Sequence, residues 1–436
     1  MNDKMDNAVL EDYLNRGSVL MNQDKFEAAR DLFEEGLRED PRYIPLLLRL
    51  GDAQLLLEQE DLALEAYNKV LLQENNHPEA LYSAGSVHLL KGDYAECLSL
   101  YAKAEDAGYD SPVMYRTLAA IYSHLEDYTQ ALRNITRAIR QDPLDTSLHL
   151  ERVNILLAMG RYEDALAAGD EMLAKNPAAI DSYHVLVSLY SQTQRYQDAM
   201  NVVNLGLERF TEDPVLGLMK AGVLIDMQKL EEAEAQLTAL CGNPAYDIVR
   251  RESLVKQAAI LQARGQNEHA AKLLEEALTL EQVETTNADI LFGLLMIHAS
   301  NQDWERLLNV SERLSAVSDA KNMYTVSGAF YGIAARRELD SAYDAKAAFS
   351  AMARDLRKTT ILNPGFYEGY LYRAMCHKEA GEHDKAHELA DYIINLYPDQ
   401  ADGHMLKQQI YLAQGMTQEA ESELSKARSL RPDLPL

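Results

Sequence analysis

The chain has 436 residues, 47% of them hydrophobic, and carries a net charge of −27 from 42 basic and 69 acidic side chains. That hydrophobic content excludes an intrinsically disordered chain. The acidic balance argues against binding to nucleic acid, whose phosphates must be neutralised by Lys and Arg, and against binding to an anionic membrane surface. Because the sequence has no long apolar run, no signal-peptide segment and only three scattered cysteines, it predicts a soluble, cytoplasmic protein with free thiols.

Small residues recur every 34 positions through the first half of the chain. The first series consists of Gly17, Gly51, Gly85, Ala119, Val153, Val187 and Ala221. The second series lies twelve residues further on and consists of Ala29, Ala63, Cys97, Ala131, Ala165, Ala199 and Ala233. A fixed period of this length indicates a solenoid built from repeated supersecondary units.

The first repeat shows what each unit contains. Two apolar faces at helical spacing are separated by a polar break, and they consist of Tyr13, Gly17 and Leu20, then Phe26, Ala29 and Phe33. The pattern therefore predicts a helical hairpin. We expect Gly17 to face Ala29, so that the two backbones approach closely, and Phe33 to fill the space against the next repeat.

Punctuation residues mark the ends of the predicted helices. The breaks within hairpins carry glycines suited to a left-handed residue at a helix C-terminus, namely Gly92, Gly160, Gly265, Gly381 and Gly415. The repeats close on prolines, namely Pro41, Pro143, Pro177, Pro398 and Pro432. This lattice resembles the tetratricopeptide repeat family. The resemblance implies an all-α fold, a right-handed superhelical solenoid of about twelve hairpins.

The spacing becomes irregular after Ala221. Ala258 follows after 37 residues and Leu295 after another 37, and Ala374 comes 79 residues later, which is one step of 34 and one of 45. The tenth repeat should therefore be eleven residues longer than the period. We divide the chain into a flexible N-terminus (1–9), seven regular repeats (10–245), degenerate or extended repeats (246–366) and two regular repeats that include a C-terminal cap (367–436).

The sequence carries no recognisable catalytic or nucleotide-binding motif of the GxGxxG, GxxxxGK[ST], HExxH or GxSxG type. His383 and His387 have the i, i+4 spacing of metal ligands, but a single pair on a polar helix is usually solvated surface. We therefore predict a protein that is not an enzyme and that has no cofactor or metal. An enzyme with an unrecognised, metal-dependent site and a self-assembling structural array are the alternatives.

The first helices of a stacked array line one concave wall, and in the resembled family this wall commonly contacts the ligand. We expect a protein or peptide partner, either extended or helical, to bind there. The expected contact residues are Leu14, Ser18, Leu48, Asp52, Tyr82, Ser86, Arg116, Asn154 and His184. The alternative is that these side chains pack against neighbouring first helices.

A second docking patch is predicted in the long tenth repeat. Residues 321–365 carry seven basic and four acidic side chains, although the chain as a whole is strongly acidic. Arg354, Arg357 and Lys358 form the densest basic cluster of this segment. The patch would suit the acidic repeats of a second copy, and hence self-association, or a different acidic partner. Ordinary solvated charges on a longer helix pair are the alternative.

Overall fold

The computed structural model describes residues 2–280, 287–318 and 320–431. Within these ranges the protein is built from 24 α-helices and one short 3-10 helix, with no β-strand. The helices pair in chain order into twelve hairpins, which confirms the predicted all-α solenoid of tetratricopeptide-type units.

The chain divides into two compact bodies, Met1–Thr211 and Glu212–Leu436. The first body contains six hairpins. Its helices are α1 (Asn2–Met21), α2 (Phe26–Glu39), α3 (Ile44–Leu56), α4 (Glu60–Leu71), α5 (Pro78–Leu90), α6 (Tyr94–Asp106), α7 (Pro112–His124), α8 (Tyr128–Gln141), α9 (Thr146–Ala158), α10 (Tyr162–Lys175), α11 (Ile180–Gln192) and α12 (Tyr196–Arg209). Residues 2–9 form the start of α1, and fraying of this helix end stays a prediction.

The second body contains the remaining six hairpins of the described residues and the 3-10 helix Pro244–Tyr246. Its α-helices are α13 (Pro214–Asp226), α14 (Leu230–Gly242), α15 (Asp247–Ala263), α16 (Asn267–Thr279), α17 (Ala288–Asn301), α18 (Trp304–Ser315), α19 (Met323–Leu339), α20 (Ala345–Leu362), α21 (Tyr367–Glu379), α22 (His383–Leu396), α23 (Asp402–Ala413) and α24 (Thr417–Leu430). The boundary between the two bodies lies at Thr211, one repeat before residue 245. Residue 245 is where we expect the regular 34-residue spacing to end.

The breaks within the hairpins have the predicted left-handed residue. Gly92 and Gly160 have φ angles of +74° and +69°. Several repeats use a longer side chain at the same place, including Glu58 and Glu126, with φ angles of +58° and +61°. These residues accept the steric cost of the left-handed region because the turn between the paired helices requires it.

Prolines end the hairpins as predicted. Pro41 and Pro143 each stand two residues after the last residue of a second helix, which is Glu39 in α2 and Gln141 in α8. Pro177 and Pro398 have the same relation to α10 and α22. Pro432 lies outside the described residues.

The glycines of the first series accommodate aromatic rings. A Cβ atom added at Gly17 or Gly51 would overlap the ring of Phe33 or Tyr67, sixteen residues further on in the second helix of the same hairpin. The ring of Phe33 therefore lies directly against Gly17. The expectation that Gly17 faces Ala29 stays a prediction. Ala29 and the other members of its series are fully buried, each with 0% exposure.

The extra length of the tenth repeat lies in its two helices. Helices α19 and α20 have 17 and 18 residues, whereas α3 and α4 have 13 and 12. Helix α19 packs closely on α18 at Gly328. A Cβ atom added there would come within 2.8 Å of the Ser311 carbonyl oxygen, so only glycine fits without a shift. A groove of about 740 Å³ is lined by α18, α19 and α20.

Candidate functional site: the first-helix face of repeats one to six

The residues predicted to contact a partner all lie on first helices of the first body, from α1 to α11. Arg116 and Asn154 are exposed. The half-buried members are Leu14, Ser18, Asp52, Tyr82, Ser86 and His184. Their partial exposure leaves most of the predicted surface accessible, but neighbouring side chains fix several of its polar groups.

Leu48 does not belong to this surface. Only 5% of it is exposed, and it packs in an apolar cluster with Leu47, Ala63 and Tyr67. The alternative that we considered for the whole set, packing between helices, therefore holds at this position. An anchor for a partner must be found elsewhere on the face.

A charged cluster links α3 to α5. The Arg49 guanidinium donates to the carboxylates of Asp52 and Glu79, and the Tyr67 hydroxyl donates to Asp52 at 2.8 Å. Burial raises the pKa of Asp52, although Arg49 and Tyr67 oppose this shift by stabilising the carboxylate. Asp52 is thus a pre-oriented acceptor rather than a mobile surface charge.

Three tyrosines form a stack on α5 and its neighbours. The Tyr82 ring lies 4.4 Å from the Tyr109 ring and 5.2 Å from the Tyr101 ring, measured between centroids, with interplanar angles of 16° and 23°. Ser86 lies 2.9 Å from the Tyr101 hydroxyl oxygen. Sequence reasoning found Tyr82 and Ser86 but missed the role of Tyr109, which lies in the loop after α6. Tyr82 and Tyr109 are half-buried and Tyr101 is buried, so the accessible part of the stack consists of the first two rings.

The later first helices present a polar surface. Arg116 on α7 donates from Nε to Glu151 on α9 at 2.6 Å. Asn154 is exposed one helical turn further along α9, and His184 is half-buried on α11. The face therefore changes from aromatic near Tyr82 to polar and charged over repeats four to six.

The second predicted patch lies on α20. Arg354, Arg357 and Lys358 are exposed there, and within the described ranges no carboxylate lies at ion-pair distance from any of the three. By contrast, Lys321, just before α19, pairs with Asp355 on α20 at 3.1 Å. The patch is thus a local excess of unneutralised positive charge.

The two histidines at metal-ligand spacing have different surroundings, because the His383 Nδ1 is buried without a hydrogen-bond partner among the described residues whereas His387 contacts other side chains. The His387 Nε2 lies 3.3 Å from the Gln414 side-chain oxygen, and its ring lies 4.7 Å from the Tyr411 ring. Among the residues that the structure describes, no three His, Cys, Asp or Glu side chains cluster as metal ligands. In the same residues, no helix is long and apolar enough to cross a bilayer.

Comparisons with known proteins agree with this architecture. One model described as tetratricopeptide repeat matches residues 20–85 and 156–221, and a second matches residues 118–180. The chain belongs to the tetratricopeptide repeat superfamily. Members of this superfamily generally mediate protein interactions.

The similar proteins differ widely in size. TPR repeat-containing protein YpiA of Bacillus subtilis strain 168 is 23% identical over 224 residues, covering 51% of this chain and 52% of YpiA. Human signal recognition particle subunit SRP72 is 27% identical over 192 residues, covering 41% of this chain and 27% of SRP72. Human protein O-mannosyl-transferase TMTC1 is 21% identical over 209 residues, covering 47% of this chain and 23% of TMTC1. The chain thus spans about half of YpiA and about a quarter of the other two.

Two solved structures align with parts of this chain or with most of it. YrrB, described as a TPR protein with an unusual peptide-binding site, aligns with a TM-score of 0.36 and 20% identity over 42% of this chain and 95% of its own. The APC/C hetero-tetramer Cut9–Hcn1 aligns with a TM-score of 0.41 and 13% identity over 97% of this chain and 94% of that chain.

Proposed function

We propose that this protein is a non-catalytic, cytoplasmic scaffold that binds a protein or peptide through the first-helix face of repeats one to six. The tyrosine stack at Tyr82 carries the proposal. It offers an apolar surface that is already ordered, so a partner side chain can dock without the entropic cost of fixing the receptor. Aromatic residues of this kind are frequent hot spots at protein interfaces.

Fixed polar groups lie on both sides of the stack. Asp52 on α3 is held by Arg49 of the same helix and by Tyr67 on α4, and Arg116 on α7 is held by Glu151 on α9. Groups in these positions can orient a bound backbone or side chain, while the stack supplies apolar contact. The face suits a segment with an apolar or aromatic anchor followed by polar residues, in an extended or a helical conformation.

The relatives support a scaffold role. SRP72 is named as a subunit of the signal recognition particle, and a fission yeast relative is named as anaphase-promoting complex subunit 3. TMTC1 is named as a transferase, but the chain spans only 23% of it. Membership of a larger assembly fits the absence of a catalytic motif from the sequence.

Affinity capture with the full chain as bait, followed by mass spectrometry, tests the proposal. The Tyr82→Ala variant should lose the specific partner, whereas Tyr162→Ala, which removes a 54% exposed tyrosine from the second helix α10, should retain it. Capture of the same partner by both variants would move the site away from this face. Stoichiometric metal in the purified protein, read by elemental analysis, would instead favour the enzyme alternative.

A further inference from the structure

A second groove lies within the second body, between α20, α21 and α22. Its volume is about 720 Å³, within the range of about 300–1,000 Å³ typical of ligand pockets. Its walls combine the cations of Arg357 and Arg373 with the apolar surfaces of Ile361, Tyr370 and Tyr392. None of these residues belongs to the first-helix face of repeats one to six.

The positive charge of Arg373 has no partner. Its Nε is buried without a hydrogen bond, and in the described part of the chain no carboxylate lies at ion-pair distance from Arg373 or Arg357. Burial lowers the pKa of Arg373, and the nearby Arg357 cation lowers it further. Two like charges thus face one groove in a protein whose net charge is −27.

Other repeats show how unusual this arrangement is. The residue before the first small residue of a repeat is leucine in several first helices, namely Leu50, Leu118, Leu186 and Leu294. Arg152 and Lys407 occupy this place in α9 and α23, and they pair with Glu171 at 2.6 Å and Asp391 at 2.8 Å. A buried Nε without a hydrogen bond also occurs in Arg152, but Arg152 has Glu171 as a partner. Lys220 in α13 has no ion pair among the described residues either, and Arg373 differs from Lys220 in its buried, unbonded Nε and in the Arg357 cation nearby.

The nearby charges leave this excess in place. Lys385 also lines the groove, but Glu382 neutralises it at 3.0 Å. Glu388 is the acidic side chain of the lining, and it is not at ion-pair distance from either guanidinium. An anion that enters the groove would therefore meet two uncompensated guanidinium groups and one carboxylate.

The apolar part of the lining is exposed. Ile361 is 67% exposed and Tyr392 is 43% exposed, and the Tyr392 ring lies 5.2 Å from the Tyr370 ring. Inorganic anions gain nothing from such surfaces, whereas an aliphatic or aromatic side chain beside a carboxylate gains burial. The chemistry of the lining thus fits a peptide that carries both groups.

We propose that this groove binds an acidic peptide segment of a partner protein, with one carboxylate accepting from Arg373 and Arg357 and a neighbouring apolar side chain against Ile361 and Tyr392. Guanidinium groups bind carboxylates strongly because they donate two parallel hydrogen bonds. Glu388 disfavours a second negative charge next to the first, so the segment carries isolated acidic residues between apolar ones. This site extends the basic patch of α20 and is independent of the proposed function of the first body.

Fluorescence anisotropy with the full chain tests the proposal. The probes are a labelled peptide of alternating Glu and Leu and its counterpart of alternating Gln and Leu. We expect the acidic probe alone to bind, and Arg373→Leu to weaken it by about tenfold or more, since charge-assisted pairs of this kind dominate such contacts. Arg357→Gln should weaken it less, and added salt should weaken it in the wild type.

Matched variants test whether loss of binding comes from misfolding or from the site in the first body. Arg373→Leu places the leucine of other repeats at this position, so its thermal melt should equal or exceed that of the wild type. Lys407→Leu changes the equivalent place in α23 and should leave probe binding unchanged, as should Tyr82→Ala.

Three results would overturn the assignment: no binding of the acidic probe, equal binding of the Gln probe, or unchanged binding to Arg373→Leu. A dimer in light scattering that dissociates on Arg373→Leu would assign the groove to a second copy of this chain instead.

Discussion

The first three repeats and the tenth use their glycines differently. In the first three, the first-helix glycine packs against an aromatic ring of its own hairpin, as Gly51 packs against Tyr67. In the tenth, Gly328 on α19 packs against Ser311 and Ser315 of α18, which is the second helix of the preceding repeat. The groove lined by α18, α19 and α20 lies next to this changed contact.

Surface charge differs between the same regions. Arg49 in the second repeat has two carboxylate partners, but Arg354, Arg357 and Lys358 on α20 have none at ion-pair distance among the described residues. Arg49 is thus neutralised close to the aromatic surface of the first body. In the part of the chain that the structure describes, helix α20 offers three cations without such partners, and this local difference underlies our assignment of separate partners to the two surfaces.

The largest expected change in stability follows from removing a buried aromatic ring in the regular region. Tyr67→Ala should destabilise the protein by about 3–5 kcal/mol, as for other fully buried aromatic residues. Adding Gly51→Val should cost less in the Tyr67→Ala background than in the wild type, because the ring that it would overlap is gone. Chemical denaturation of the four proteins measures this coupling, and additive effects would show that Gly51 and Tyr67 do not share one space.

In the irregular region, Gly328→Ala should cost about 1–3 kcal/mol through overpacking. The new Cβ atom would lie within 2.8 Å of backbone atoms of Ser311 and Ser315, which cannot rotate away as a side chain can. Gly222→Ala in α13 is the control, since its Cβ would meet only the end of the Lys256 side chain at 3.9 Å. Equal melting temperatures for both variants would contradict the tight contact between α18 and α19.

Much of the fold could be predicted from the sequence because a repeat samples the same physical constraint many times. The period located the paired helices, and the glycines and prolines located the turns and hairpin ends. The contact between Gly17 and Phe33 was not predicted, because spacing along the chain does not say which of two facing residues fills a gap. An aromatic residue sixteen positions after each early glycine, as in Phe33, was a signal that could have indicated it.

The candidate sites were less predictable. Leu48 was misassigned because the rule for inward-facing places does not say how far the next first helix covers them. Tyr109 and Arg373 were missed because one lies in a loop and the other depends on which charges surround it in three dimensions. Only the fold shows that Arg373 faces Arg357 while its counterparts Arg152 and Lys407 are paired.

The turns of the regular region allow a smaller test. Glu126→Gly should stabilise the protein by about 0.5–1 kcal/mol, because glycine adopts a φ of +61° without the steric cost that glutamate bears. Gly92→Ala should destabilise it by about 1 kcal/mol for the converse reason. Thermal melts measure both changes, and shifts of the same sign would contradict the assigned turn geometry.

The smallest expected effect concerns pH. Burial lowers the pKa of His298 in α17, so between that pKa and about 6.5 the unfolded chain binds more protons than the folded one. Stability should therefore fall as the pH drops below about 6.5. His298→Gln should flatten this dependence in denaturation curves measured from pH 7 to pH 5, and an unchanged slope would exclude His298 as a source.

The central claim is that the tyrosine stack of the first body is the anchor for a partner. The direct measurement is a calorimetric titration of the captured partner into the wild type, Tyr82→Ala and Tyr162→Ala. We expect Tyr82→Ala to weaken partner binding by about 1–3 kcal/mol, as for an aromatic hot spot, and Tyr162→Ala to bind the partner like the wild type. Wild-type affinity in Tyr82→Ala, with its fold intact by circular dichroism, would contradict it.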